Sequence, residues 1–183
     1  MAKREMNGLD ILVNNASALS IEKYPSVKRM ELLCKVNLQA TIMCIQEFSE
    51  MLEKSKGAII TLSPPVRMAR LDWINMHPAY TISKYGMTMA TLGAATMNVR
   101  ANSIWPKKMI ATDATKLIED NKIVDNAYTN GRCPSFVAEA ILNLSMSNQN
   151  ASSVFDEDMH SIIPDDNAPM DIFTTEEISV SHH

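Results

Sequence analysis

Residues 58–87 decide the fold of this chain: they read AIITLS at 58–63 and AYTISKYGM at 79–87. The first run is apolar and rich in isoleucine, which is typical of a buried strand in a parallel sheet. The second run opens a helix. Tyr80 and Lys84 are four residues apart, so on that helix they lie one turn above each other and their polar groups can meet.

The pair formed by Tyr80 and Lys84 is a candidate reaction centre. A tyrosine titrates near ~10 in water, and an ammonium group held beside it stabilises the phenolate and favours proton transfer. Tyr24 and Lys28 have the same spacing, but Pro25 and the lack of a preceding strand favour a helix start there. The simpler alternative for Tyr80 and Lys84 is a half-buried tyrosine beside a surface lysine.

Further apolar runs extend the pattern in both directions. The sequence predicts strands at 9–13, 58–63, 99–104 and 153–156, and helices at 27–53, 79–97, 112–118 and 135–146. The first helix is either continuous or two helices joined near Asn37, and Gly57 is expected to end it. This alternation indicates an α/β domain with a mainly parallel sheet. We expect that domain over residues 1–158, a loop carrying Trp73 and His77 over a pocket, and an acidic flexible tail over 159–183.

Composition narrows the class of protein. The chain has 183 residues, is 46% hydrophobic and carries a net charge of −4, which suits one domain and argues against nucleic acid as a partner. The first apolar run is too short for a signal segment or a membrane span, so we expect an intracellular protein. The three cysteines, Cys34, Cys44 and Cys133, have no paired or metal-binding spacing; we expect reduced, mostly buried thiols and no metal site.

Several motifs occur in a fixed order along the chain. They are NNASA at 14–18, Asn37, SPP at 63–65, residues 80–87, WPK at 105–107 and FDE at 155–157. As an ordered set they resemble the short-chain dehydrogenase/reductase family over about residues 9–158. The resemblance implies a Rossmann-like, doubly wound sheet and hydride transfer between NAD(P), either NAD or NADP, and a carbonyl or alcohol, with a lipid-type substrate.

The resemblance also implies roles for individual residues. By match of position, Tyr80 would donate or accept the proton, Lys84 would lower the Tyr80 pKa and hold the nicotinamide ribose, and Asn37 would support a water relay. The plain alternative for Asn37 is a polar residue on a solvated helix face. Family members usually carry two serines after the central strand, the second polarising the substrate oxygen. Here Pro64 takes that second place, which leaves Ser63 as a weak substitute.

The remaining cofactor contacts follow from the same resemblance. Asn15, Ala16 and Ser17 would line the adenosine side, and Pro106, Ile110 and Thr112 would lie beside the nicotinamide. Family members begin with a strand, a glycine-rich turn and a helix that together hold the pyrophosphate. None of the five glycines, at 8, 57, 86, 93 and 131, has that arrangement. We therefore expect a truncated sheet and doubtful NAD(P) binding.

Two functions are compatible with this sequence. The first is an oxidoreductase that keeps the catalytic half of the site. The second is a non-catalytic interaction protein, in which strand 9–13 is an open sheet edge that pairs with a second copy or with a longer relative, aided by the long helices. The resemblance leaves the compartment open between cytoplasm, peroxisome and mitochondrion.

Overall fold

The central feature of the molecule is a parallel sheet. The computed structural model describes residues 5–65, 74–75 and 77–160. Within them, four strands lie in the order β1-β2-β3-β4, and every neighbouring pair is parallel. The strands are β1 (Ile11–Asn14), β2 (Ala58–Leu62), β3 (Arg100–Trp105) and β4 (Ser153–Phe155).

Helices connect the strands and cover both faces of the sheet. They are α1 (Val27–Leu33), a π-helical turn (Cys34–Gln39), α2 (Ala40–Ser55), α3 (Pro78–Ala94), α4 (Asp113–Asp120), α5 (Pro134–Met146) and a short 3₁₀ turn (Glu157–Met159). Parallel strands need crossover connections, and these helices supply them. The prediction of an α/β fold with a mainly parallel sheet is confirmed.

The core lies on both sides of β2. Ile59 and Ile60 are fully buried, and because successive side chains alternate between faces, they enter two different clusters. Ile59 packs with residues of α2 and α3, including Leu52 and Ala94. Ile60 packs with Ile104 of β3 and with residues of α5. The continuous apolar run at 58–62 is thus explained by burial on both faces.

The first long helix is continuous from Val27 to Ser55 through the π-helical turn. The sequence left open one continuous helix or two helices joined near Asn37; the structure has the continuous one, with Asn37 inside the π-helical turn. At its end, Lys56 rather than Gly57 adopts the left-handed conformation, with φ of 52°. Gly57 is required for a different reason: a Cβ there would lie 2.4 Å from the Asp10 carbonyl oxygen.

Two expectations about burial were wrong. Cys34 and Cys133 are exposed and Cys44 is half-buried, because Cys133 immediately precedes α5 without a side-chain capping bond and Cys34 belongs to the outward side of the π-helical turn. Asn37 is fully buried rather than solvated, since its amide is hydrogen-bonded between two other segments. Trp73 and most of the expected tail fall outside the described residues, so the domain boundaries stay predictions.

Strand β1 is an edge of the sheet within the described residues, since it pairs with β2 alone. Ile11 and Val13 are each 40% exposed, whereas Leu12 packs against the α2 and α3 side of the core. One face of β1 therefore remains open.

Among the helices of the described part of the chain, none has the length and apolar character that a membrane crossing requires.

Candidate active site

The candidate site lies where the parallel strands end. Asn14, Leu62 and Trp105 are the last residues of β1, β2 and β3, and α3 begins nearby with Pro78 in its first turn. Proline suits this position because its fixed φ fits a helix and its missing N–H has no partner in the first turn. Tyr80 is therefore set in the first turn of α3 and Lys84 in the second.

Tyr80 is a half-buried phenol. Burial raises the pKa of Tyr80 to about 12, while a hydrogen bond with the Ser17 side chain acts in the opposite direction. Burial disfavours the charged phenolate. Tyr80 therefore holds its proton at neutral pH.

Lys84 is a buried ammonium group, only 4% exposed. Its Nζ donates to the Leu62 carbonyl oxygen at 2.7 Å and lies 5.4 Å from the centroid of the Trp105 ring. Burial lowers the pKa of Lys84 to about 8. The hydrogen bond to the Leu62 carbonyl oxygen fixes the ammonium at the end of β2, and the role of Lys84 in lowering the Tyr80 pKa stays a prediction.

Asn37 joins the loop after β1 to helix α3. Its Oδ1 accepts from the Ala18 N–H at 2.7 Å and from the Ser17 hydroxyl at 3.2 Å. Its Nδ2 donates to the Ala18 carbonyl oxygen at 3.0 Å and to Ser83 Oγ at 2.8 Å. With every hydrogen-bonding atom of its amide engaged, Asn37 acts through its side chain as a brace between these segments.

Ser63 lies directly after β2 and is fully buried. Its backbone N–H donates to the Ile104 carbonyl oxygen at 3.1 Å, but its Oγ has no hydrogen-bond partner among the described residues. The same holds for Nε1 of Trp105 on the neighbouring strand. Buried polar atoms are rarely left unsatisfied, so this end of the sheet retains hydrogen-bonding capacity that a bound group would use.

The other residues expected to contact a cofactor are spread over two loops. Asn15, Ala16 and Ser17 are exposed after β1, and Ser17 alone of these three contacts Asn37. Pro106, Ile110 and Thr112 lie in the segment after β3, where Ile110 forms a parallel bridge with Arg132 and Thr112 caps α4 by accepting from the Thr115 N–H. Hydrogen bonds thus link Ser17 to both Asn37 and Tyr80, and Lys84 bonds to Leu62, the residue before Ser63.

Sequence reasoning missed an ionic cluster that holds the loop after β3. Asp156 is fully buried; its Oδ1 accepts from the Lys107 N–H at 2.9 Å, and its Oδ2 lies 3.4 Å from Arg132. Arg132 also donates to Glu157 at 2.6 Å. Arg132 is 24 residues from Asp156, so no local spacing reveals the contact. The acidic FDE motif at 155–157 is the sequence feature that could have indicated this ionic cluster.

The residues present fit one end of a dinucleotide. Lys84, the unsatisfied Ser63 Oγ and the Ser17 loop offer polar groups suited to a ribose and a carboxamide. The pyrophosphate end does not fit: no glycine among the described residues has a positive φ, and Gly57, Gly86 and Gly131 are each crowded by neighbouring atoms rather than arranged as a cradle. No cluster of three or more metal-ligating side chains occurs in the described part of the chain.

Comparison with known proteins shows which family this chain resembles. The model of the short chain dehydrogenase family matches residues 1–123. The mouse protein hydroxysteroid dehydrogenase-like protein 2 is 40% identical over 123 residues, which cover 64% of this chain and 25% of the relative. The zebrafish (Danio rerio) protein of the same name is 31% identical over 195 residues, covering 93% of this chain and 47% of the relative.

Solved structures agree with the sequence relatives. A Xanthomonas campestris crystal structure superposes with a TM-score of 0.75 at 31% identity, covering 85% of this chain and 59% of that one. A short chain dehydrogenase from Mycobacterium thermoresistibile gives a TM-score of 0.72 at 28% identity, covering 86% and 59%. The chain spans about a quarter to a half of the length of these curated relatives. It belongs to the short-chain dehydrogenase family.

Proposed function

We propose that the chain carries the catalytic half of an NAD(P)-dependent oxidoreductase site that interconverts a carbonyl and an alcohol, on a lipid-type substrate. The observation that supports this most strongly is the placement of a protonated phenol, Tyr80, and a buried ammonium, Lys84, one turn apart on α3 at the carboxyl ends of the strands. Open α/β sheets bind ligands at that end.

Each residue has a defined task in this proposal. Tyr80 holds the proton that a carbonyl oxygen takes up on reduction, and its high pKa keeps that proton in place until the substrate is seated. Lys84 contributes positive charge where negative charge develops on oxygen. Asn37 fixes the loop at Ser17 and the first turn of α3 relative to each other. A bound nicotinamide dinucleotide would supply or accept the hydride.

The residues available for cofactor binding limit the affinity of this chain for a dinucleotide. Lys84 and the loop at Asn15, Ala16 and Ser17 would hold the ribose side of the cofactor, with Pro106, Ile110 and Thr112 beside the nicotinamide. A helix N-terminus with a glycine-rich turn ordinarily stabilises the pyrophosphate, and these 183 residues include no such turn. We expect weak dinucleotide binding by this chain alone.

Thermal unfolding with added dinucleotide tests the proposal. A ligand that binds the folded state raises the melting temperature, so millimolar NADPH or NADH is expected to raise it for the wild-type chain. Tyr80→Phe should keep the shift and lose turnover of aldehydes and ketones carrying long alkyl chains. Absence of any shift at millimolar concentrations of both dinucleotides would refute the proposal.

A second candidate function rests on a different observation. Within the described residues, strand β1 has no partner along one edge, and Ile11 and Val13 are 40% exposed on one face. Such an edge is a template for strand addition, so β1 would associate with another copy or with a longer relative. Replacing Val13 with lysine should abolish the association in gel filtration while leaving Tyr80-dependent turnover intact. A wild-type chain that elutes as a monomer at every concentration contradicts this alternative.

A further inference from the structure

Besides the Leu62 carbonyl oxygen, Lys84 has two partners: Met87 Sδ, at 3.8 Å from its Nζ, and an aromatic ring. Its Nζ lies 5.4 Å from the centroid of the Trp105 ring, within the roughly 6 Å over which an aromatic face attracts a cation, and tryptophan is the most effective ring for this contact. Trp105 is the last residue of β3. Trp105 belongs to the WPK motif at 105–107, and the family resemblance implied no role for this tryptophan.

The sheet register brings Trp105 beneath Lys84. Leu62 pairs with Ile104 across β2 and β3, so Trp105, the last residue of β3, lies beside Ser63, the residue that follows β2. Ile104 packs toward α5. Because side chains alternate along a strand, Trp105 belongs to the opposite face, which α3 covers.

We propose that Trp105 is a positioning residue for Lys84, whose ammonium it holds against the ring face while the Leu62 carbonyl oxygen accepts a hydrogen bond from it. A buried ammonium loses hydration, and a ring face and a carbonyl oxygen replace part of it without bringing in a negative charge. Lys84 is thereby kept charged and aimed at the carboxyl ends of β2 and β3. The functional meaning of this contact rests on the proposed oxidoreductase function; the contact itself does not.

Among the described residues, Lys84 has no ion pair that would make the ring redundant. On its own helix the neighbouring titratable groups are Tyr80 and Tyr85, and burial raises the pKa of both, so both phenols stay neutral. On β2 the partner is the Leu62 carbonyl oxygen. Beyond β3, Asp156 and Lys107 are engaged with each other and with Glu157. On the π-helical turn, Lys35 is exposed beside Glu31. Burial is accordingly the cause of the lowered pKa of Lys84.

Fluorinated tryptophan tests this contact without changing its size. The chain has two tryptophans, so a Trp73→Phe background leaves Trp105 as the one site at which a tryptophan auxotroph incorporates 5-fluorotryptophan or a trifluorinated analogue. Each fluorine weakens the negative ring face. The titration of Lys84 is read from the ¹³Cε chemical shifts of labelled lysines, with Lys84 assigned from Lys84→Arg and Lys84→Met.

The expected result is a graded fall in the Lys84 titration midpoint, reaching about 0.5 pH unit, or about a threefold rise in its acid dissociation constant, with the trifluorinated ring. Trp105→Phe, which keeps a ring face, should lie closer to the wild type than Trp105→Leu, and Lys35 should not change. A Lys84 midpoint that is the same with all three indoles would overturn the proposal.

A dinucleotide titration of the same samples separates the two proposals. Graded midpoints with no dinucleotide binding would uphold the contact and refute the oxidoreductase function. Dinucleotide binding with unchanged Lys84 midpoints would support the oxidoreductase function and refute the contact between Trp105 and Lys84.

Discussion

The side-chain nitrogen of Asn37 lies 2.8 Å from the hydroxyl oxygen of Ser83, and that hydroxyl donates to the Tyr80 carbonyl oxygen at 2.7 Å. These bonds cross from the π-helical turn to the first turn of α3. The position of the candidate proton donor is therefore set by a residue 46 positions before Ser83. The other half of the Asn37 amide holds the loop at Ala18.

Replacing Asn37 should destabilise the whole domain. Asn37→Ala removes four hydrogen bonds at a fully buried position and leaves the Ala18 N–H without its acceptor, so we expect a loss of about 3 kcal/mol in the free energy of unfolding. Ser83→Ala should cost about 1 kcal/mol, because it removes one hydroxyl. Urea unfolding measures both. A cost below about 0.5 kcal/mol for Asn37→Ala would contradict the bracing role.

The stability contributed by Lys84 should depend on pH. Burial lowers the pKa of Lys84 from 10.5 to about 8. Below pH 8 the group is charged in both states and the full desolvation cost is present. Between pH 8 and 10.5 the unfolded chain binds more protons than the folded chain, so stability rises with pH in this window. Above pH 10.5 Lys84 is neutral in both states, so the desolvation of the ammonium no longer lowers stability.

A comparison with Lys84→Met isolates this effect, because other titrating groups cancel in the difference. The wild type should gain on the order of 3 kcal/mol relative to Lys84→Met between pH 8 and 10.5. Chemical unfolding at several pH values provides the measurement. A difference that stays constant across the window would show that burial does not shift the pKa of Lys84.

The buried carboxylate of Asp156 should be required for the segment after β3. Asp156→Ala leaves Arg132, which is 12% exposed, without one of its partners and removes the acceptor for the Lys107 N–H, so we expect a cost of about 3 kcal/mol. Asp156→Asn keeps one acceptor oxygen and should cost less. Thermal unfolding ranks the variants, and equal costs for the two would argue against a role for the accepted backbone hydrogen bond.

Two glycines should respond in opposite directions to alanine. At Gly57 a Cβ would meet the Asp10 carbonyl oxygen at 2.4 Å, so Gly57→Ala must push β1 away from the end of α2, at a cost of about 1–3 kcal/mol. At Gly93, within α3, nothing lies within 4 Å. Gly93→Ala should therefore stabilise the protein by up to about 1 kcal/mol. Denaturant midpoints test both, and destabilisation by Gly93→Ala would contradict the open space there.

Much of the fold could be predicted from local sequence. The apolar run at 58–62 has to be a doubly covered strand, and the strand and helix bounds fall within about three residues of those expected, as Pro78 and Pro134 show at the helix starts. Local patterns could not reveal that Lys84 bonds to the Leu62 carbonyl oxygen, 22 residues away. Spacing fixes which residues share a helix face, whereas the partner of a flexible side chain depends on packing between distant segments.

The same reasoning explains the errors about polar and sulfur-containing residues. Asn37 looks like a surface residue because its burial requires Ala18 and Ser83, neither of which is adjacent in sequence. Cys133 looks buried because cysteine usually is, but Pro134 starts a helix directly after it and leaves it exposed at the end. Conversely, Ser83 stands beside Lys84 in the stretch that decides the fold, and only the folded chain shows that it links Tyr80 to Asn37.

The π-helical turn at Cys34–Gln39 changes the direction in which the side chains that follow it point around the helix axis. Leu33, Asn37, Thr41 and Ile45 follow one another at intervals of four and are all buried. In a regular α-helix each interval of four turns the side chain by about 40° beyond a full revolution, or about 120° over the three intervals. The π-helical turn takes up part of this drift and keeps all four on the inner side. Deleting one residue within the turn would swing the Asn37 amide and Ile45 out of alignment, whereas a change of length in the loop before Val27 would leave their alignment intact.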